Sequence, residues 1–120
     1  MSSDTIHIHL EVKVPEAKRA GFMALMNELV ERTRKEPGTL VYEWYEVGDT
    51  GTWHILERYA DAQNGDLHVK GFAEGYAGRF FELVTSCTGI VSDNATPYIK
   101  GVLAGISPLY IAQKGGFNRF

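Results

Sequence analysis

Two alternating segments on either side of a four-residue turn constrain this chain more than any other feature. Gly48-Asp49-Thr50-Gly51 is hairpin-turn chemistry. Before it, Thr39 to Val47 is rich in β-branched and aromatic residues, which suits a strand. Leu40, Tyr42, Trp44 and Glu46 share one face of that strand; Val41, Glu43, Tyr45 and Val47 share the other. After the turn, Thr52 to Ala60 returns with Trp53, Ile55, Glu57 and Tyr59 on one face and His54, Leu56 and Arg58 on the other. Aromatic residues on both faces of the first strand imply that neither face is simply wet. A sheet covered by helices on one side and by another subunit on the other accounts for this. Glu57 stands among apolar neighbours, so its carboxylate needs a hydrogen bond or a counter-charge if it is buried.

The rest of the chain supplies elements to pack on that hairpin. Ile6 to Val14 alternates, with Ile6, Ile8, Leu10, Val12 and Val14 opposite His7, His9, Glu11 and Lys13. His7 and His9 point the same way and could share a ligand. Two histidines without further ligands are weak grounds for a metal, so solvent or a partner subunit is the favoured neighbour and no metal is expected. Pro15 ends this strand. From Glu16 to Lys35 the apolar residues Ala20, Phe22, Met23, Leu25, Met26, Leu29 and Val30 have helical spacing, and Pro37-Gly38 stops the helix. Asp61 is a good N-cap for a second helix. His68, Phe72, Tyr76 and Phe80 recur every four residues along it, while Gly65, Gly71, Gly75 and Gly78 predict one helix with a loose or kinked first half. Glu82 to Ser92 reads as a fourth strand. Thr96-Pro97 starts a short helix ending at Gly105 as its C′ residue, and Leu109 to Ala112 suggests a last short strand.

Composition excludes several classes. A length of 120 residues fits one domain, with a core over about residues 6–92 and a C-terminal extension over about 93–120. The formal net charge of -3, without a run of Lys or Arg, argues against nucleic acid and against an anionic membrane surface. Cys87 is alone, which rules out an internal disulfide and a multi-thiolate zinc site and points to a cytoplasmic protein. Met1-Ser2-Ser3-Asp4-Thr5 lacks the basic and apolar regions of a signal peptide. No phosphate loop, serine elbow or EF-hand is present.

The element order is β-α-β-β-α-β, the ferredoxin-like arrangement, with a C-terminal helix and short strand added. The residues at its joints resemble those of the antibiotic biosynthesis monooxygenase family. Glu36-Pro37-Gly38 followed by Tyr42 is similar to that family's helix-to-strand joint, and Glu57-Arg58-Tyr59-Ala60-Asp61 to its strand-to-helix joint. His68 falls where the family commonly carries a helix histidine. The resemblance implies a dimeric α+β barrel in which two subunits pack their sheets face to face, with a pocket between sheet and helices in each. It also implies a homodimer acting on a small substrate. Members include cofactor-free oxygenases of phenols and hydroquinones, haem-degrading enzymes and an isomerase. The haem-degrading pattern of an Asn, a Trp and a later His is not matched: the first strand carries His7 and His9, His68 stands nearest the Trp position, and Gly78 falls ten residues later.

The chemistry that this resemblance implies is cofactor-independent oxidation of a quinol or polycyclic phenol by dioxygen. His68 is the candidate base, because a histidine titrates near neutrality. Glu57 would orient His68 or hold a substrate hydroxyl. Tyr42, Trp44, Phe72 and Tyr76 would line the substrate pocket, with His9 a secondary candidate. Two other readings use the same scaffold: a non-oxidative isomerase of a small carbonyl compound using His68 and Glu57, and a non-catalytic ligand-binding dimer. A pocket occluded by Tyr42, Trp44 and Phe72 would be the sign of the last.

Overall fold

The computed structural model describes residues 4–120; Met1 to Ser3, part of the stretch read above for a leader, lie outside them. Among the described residues, five strands form one sheet in the order β2-β3-β1-β4-β5, where β1 is Ile6–Lys13, β2 Thr39–Glu46, β3 Thr52–Tyr59, β4 Ser86–Ser92 and β5 Leu109–Ile111. The first four pair antiparallel, and β5 joins β4 in parallel. Helices α1 (Arg19–Thr33), α2 (Ala62–Gly75), α3 (Ala77–Leu83) and α4 (Pro97–Leu103) accompany them. This is the ferredoxin-like α+β arrangement with one added helix and one added edge strand.

The core lies between one face of the sheet and the helices. β1 contributes Ile6, Ile8, Leu10 and Val12, β3 contributes Trp53, Ile55 and Tyr59, and α1 contributes Phe22, Leu25 and Leu29. Each buried Phe or Leu of this kind stabilises the fold by about 1.5–3 kcal/mol. The opposite face carries no helix among the described residues. Tyr45, Ile90, Leu109 and Ile111 are exposed there, beside His7, His9, His54 and Arg58. No helix among the described residues is long and apolar enough to cross a membrane.

Four details differ from the sequence reading. The strand β2 holds a bulge between Thr39 and Val41, so Leu40 leaves the alternation and Thr39, paired with Tyr59, takes the core side. The second helix is two helices, and the break is late: Tyr76 leaves helical geometry at φ -133°, ψ -20°. Glu82 and Leu83 belong to α3, and β4 begins only at Ser86. Gly105 lies inside a short 3-10 turn, Ala104–Ile106, and the left-handed residue that follows is Ser107 (φ 48°). The caps at Asp61 and Thr96 stand as expected, each side chain accepting from a backbone N–H three residues on.

Candidate functional site

The joint between α1 and β2 delivers a carboxylate to a histidine 32 residues further along the chain. Glu36 ends a tight turn in which its N–H donates to Thr33 and its carbonyl accepts from Thr39. Gly38 lets this turn press on α2: a Cβ there would stand 2.0 Å from the Asn64 side chain, which the Asp61 cap already holds. Glu36 is fixed further by the Thr39 hydroxyl, which donates at 2.8 Å, and by Arg32 at 3.5 Å. Arg32 in turn crosses α2 at Gly71 and lies over the ring of Tyr76.

His68, on α2, is 3% exposed and sits between two carboxylates. Its Nδ1 is 2.9 Å from Glu36 Oε1, and its Nε2 is 3.7 Å from Glu57 Oε1. An ionised carboxylate only accepts, so Nδ1 carries the proton given to Glu36 and Nε2 is the nitrogen turned toward Glu57. The imidazole is held between the rings of Tyr42 and Tyr59, with centroids 5.2 and 5.1 Å away. Glu57 is buried and accepts a hydrogen bond from the Tyr59 hydroxyl.

The two carboxyls have opposite characters. Burial pushes Glu57 above the usual carboxylate range, opposed by the nearby His68 and the Tyr59 bond and reinforced by Glu36. Burial also opposes ionisation of Glu36, but the bonds from His68 and Thr39 and the charge of Arg32 outweigh it and hold Glu36 below that range. The Tyr42 and Tyr59 hydroxyls are both pushed up, first by burial and then by the charge of Glu57. Cys87 is pushed up to about 11 by burial and by Glu57, which makes it a poor nucleophile.

Beside His68 and Glu57 is a small, largely apolar cavity of about 40 Å3. Tyr42, Trp44, Phe72 and Phe80 line it, with Val102 and Leu103 of α4 at its outer side. Among the described residues, Trp44 Nε1 and Thr33 Oγ1 are buried without a hydrogen-bond partner, and the Tyr42 hydroxyl stands beside both without a bond of normal geometry to either. The structure therefore brings His68, Glu57, Tyr42, Trp44 and Phe72 together. It does not bring in Tyr76, which stacks on Arg32, or His9, which lies on the helix-free face and meets His54 at 2.8 Å. Sequence reasoning missed Glu36 as a site residue, because only the folded chain shows which histidine it meets. It also missed Val102 and Leu103 of the C-terminal helix.

Comparison with known proteins agrees with this fold. The model of the antibiotic biosynthesis monooxygenase family matches residues 5–86. MupZ of Pseudomonas fluorescens is 26% identical, with a TM-score of 0.79, over 99% of this chain and 92% of that one. A conserved protein of Methanosarcina mazei Go1 is 25% identical, with a TM-score of 0.65, over 72% of this chain and 89% of that one. Rv0793 of Mycobacterium tuberculosis, 23% identical with a TM-score of 0.66 over 77% of this chain and 96% of that one, shares the fold. No curated protein matches the sequence.

Proposed function

The chain belongs to the antibiotic biosynthesis monooxygenase family, and from that premise we propose that it oxidises a small quinol or phenol with dioxygen, without a cofactor, using His68 as the base. The observation that carries this reading is the placement of His68 Nε2. Glu36 fixes the opposite nitrogen, so Nε2 presents its lone pair beside an apolar cavity next to a carboxyl inclined to stay protonated.

The steps balance without any further reductant. The substrate hydroxyl gives its proton to Nε2, and the Glu36 carboxylate stabilises the imidazolium that forms. The electron-rich anion passes an electron to dioxygen, and the resulting radicals join at a ring carbon as a peroxide. Loss of the proton on that ring carbon breaks the O–O bond, leaves one oxygen on the ring as a carbonyl and expels hydroxide, which takes the proton held on His68 and leaves as water. The substrate supplies all four electrons. Trp44 Nε1–H, buried beside the Tyr42 hydroxyl in the cavity wall, is the candidate donor to the developing oxyanion.

Size sets a condition. A cavity of about 40 Å3 holds dioxygen or a water molecule but not an aromatic ring. Binding a ring requires the lining to move apart, and among the lining residues Val102 of α4 is the exposed one. The same closure supports a second reading, a dimer that binds a ligand without turning it over. The partner in either case is a second copy, its helix-free sheet face against this one, which would cover Tyr45, Ile90 and Leu109.

Oxygen uptake by metal-stripped protein across hydroquinones and polycyclic phenols, beside His68→Ala, tests the proposal. Uptake above the spontaneous rate and lost in the variant is expected. Uptake that survives in the variant removes His68 from the reaction, and no uptake with any panel member moves the assignment to the binding dimer.

A further inference from the structure

Gly71 leaves a notch on α2, and a cation from α1 fills it. A glycine inside a helix gives up propensity that alanine would supply, so its place needs a reason. Gly75, one turn on, has open space where a Cβ would go, but a Cβ at Gly71 would stand 2.6 Å from Arg32 Cζ. The Arg32 guanidinium therefore lies against the backbone of α2, closer than a side chain at position 71 would allow. The ring of Tyr76, at the break between α2 and α3, faces the same guanidinium, its centroid 5.6 Å from Cζ.

This seat aims the cation at the carboxylate that holds His68. The two oxygens of Glu36 have separate partners. Oε1 accepts from His68 Nδ1 at 2.9 Å and from the Thr39 hydroxyl at 2.8 Å, while Oε2 faces Arg32 Nη1 at 3.5 Å. Glu57 and Tyr59 of β3 and Tyr42 of β2 also face the imidazole, and none of the three is a cation.

The positive charge of Arg32 has two effects on His68, and they agree in direction. It favours the ionised form of Glu36, and an ionised carboxylate only accepts, so the imidazole proton stays on Nδ1. It also shares the Glu36 charge that an imidazolium would otherwise have to itself, which disfavours a second proton at rest. We propose that Arg32, seated at Gly71, is a positioning residue that keeps the resting His68 neutral, with its proton on Nδ1 and with Nε2 free to accept one. The inference rests on the reading of His68 as a base, but its test needs no substrate.

Long-range 1H–15N spectra of the 15N-labelled full chain read the tautomer and charge of each histidine ring, and His68→Gln identifies the His68 signals. At pH 7 the wild-type ring is expected to be mostly neutral, with Nδ1 protonated. Arg32→Gln is expected to raise the charged fraction about threefold, a modest factor because the Arg32 side chain is 37% exposed and its charge is screened by water. Arg32→Lys keeps the charge and should recover part of the change. Gly71→Ala is the sharper variant, because its Cβ displaces the guanidinium while the helix gains propensity. It is expected to raise the charged fraction as Arg32→Gln does, with a Tm close to wild type, and to add nothing when combined with Arg32→Gln. Arg32→Gln decides the matter even if Gly71→Ala folds poorly. A neutral Nδ1–H ring that Arg32→Gln leaves unchanged overturns the role of Arg32 and leaves His68 as the base. A change that Arg32→Lys reproduces in full comes from packing rather than charge and also overturns it. A wild-type ring protonated on Nε2, or already charged, overturns the reading of His68 and the role of Arg32 with it.

Discussion

Glu36 and His68, 32 residues apart, meet through a single hydrogen bond of 2.9 Å that joins the α1–β2 turn to the buried face of α2. The bond fixes which nitrogen of the imidazole is free. Glu36 is itself held by Thr39 and Arg32, so the carboxylate is positioned before any ligand arrives.

Glu36→Gln keeps the shape of this contact and removes its charge. The amide cannot stabilise an imidazolium as a carboxylate does, and it permits the other tautomer. On the proposed mechanism kcat is expected to fall on the order of tenfold to a hundredfold with little change in KM. Glu36→Asp should recover part of the loss. A rise in KM alongside the fall in kcat, with no recovery by Asp, would mean that Glu36 only shapes the fold.

Glu57 and Glu36 should give opposite pH signatures in stability. The pKa of Glu57 is raised in the folded state from a reference of 4.5, so its contribution is fully present below that value and is lost as pH rises through the folded pKa. Glu57→Gln, which stays neutral and can still accept from Tyr59, is expected to match wild type near pH 4. It should exceed wild type by a margin that grows as pH rises toward 8. The pKa of Glu36 is lowered, so its contribution is present above 4.5 and fades as pH falls below it. Denaturant melts of both variants from pH 3 to pH 8 check the two slopes, and parallel curves would contradict the assignment.

How far the sequence led depended on whether the deciding contact was local. The alternation of β1 and β3 was legible because burial on one sheet face leaves a period of two in the residues themselves. That alternation also placed His9 opposite Ile8 and Leu10, so its absence from the pocket was readable at the start. The break at Tyr76 was not, since the four-residue spacing of His68, Phe72, Tyr76 and Phe80 looks like one continuous face. With the helix broken, Phe80 still reaches the core while Tyr76 turns to Arg32. The partnership of Glu36 with His68 is tertiary and leaves no periodic trace.

The lining of the His68 cavity by two α4 side chains predicts a gain of access on truncation. Val102 is 38% exposed and Leu103 half-buried, so Val102→Ala with Leu103→Ala removes only part of their apolar contact, a cost of about 1–2 kcal/mol. The double variant is expected to bind larger polycyclic phenols more tightly and faster than wild type, as read by stopped-flow quenching of Trp44 and Trp53. Unchanged binding rates would show that ligands reach His68 by another route.

The helix-free face predicts a dimer that one charge can disrupt. Ile90 lies on that face on β4, beside the central strand, 38% exposed, between His9 on β1 and Leu109 on β5. A second copy packed there would bury Ile90, and a carboxylate in its place would lose its hydration beside His9, whose charged form burial and His54 disfavour. Ile90→Glu is therefore expected to shift the protein from dimer to monomer by light scattering, while circular dichroism stays close to wild type because the core lies on the other face of the sheet. Phe81 on α3 is a comparably exposed apolar residue, at 47%, but it stands on the helix side of the molecule. Phe81→Glu therefore serves as the control, expected to leave the dimer intact. Dissociation by Phe81→Glu, with Ile90→Glu remaining dimeric, would place the interface on the helices and overturn the sheet-to-sheet arrangement.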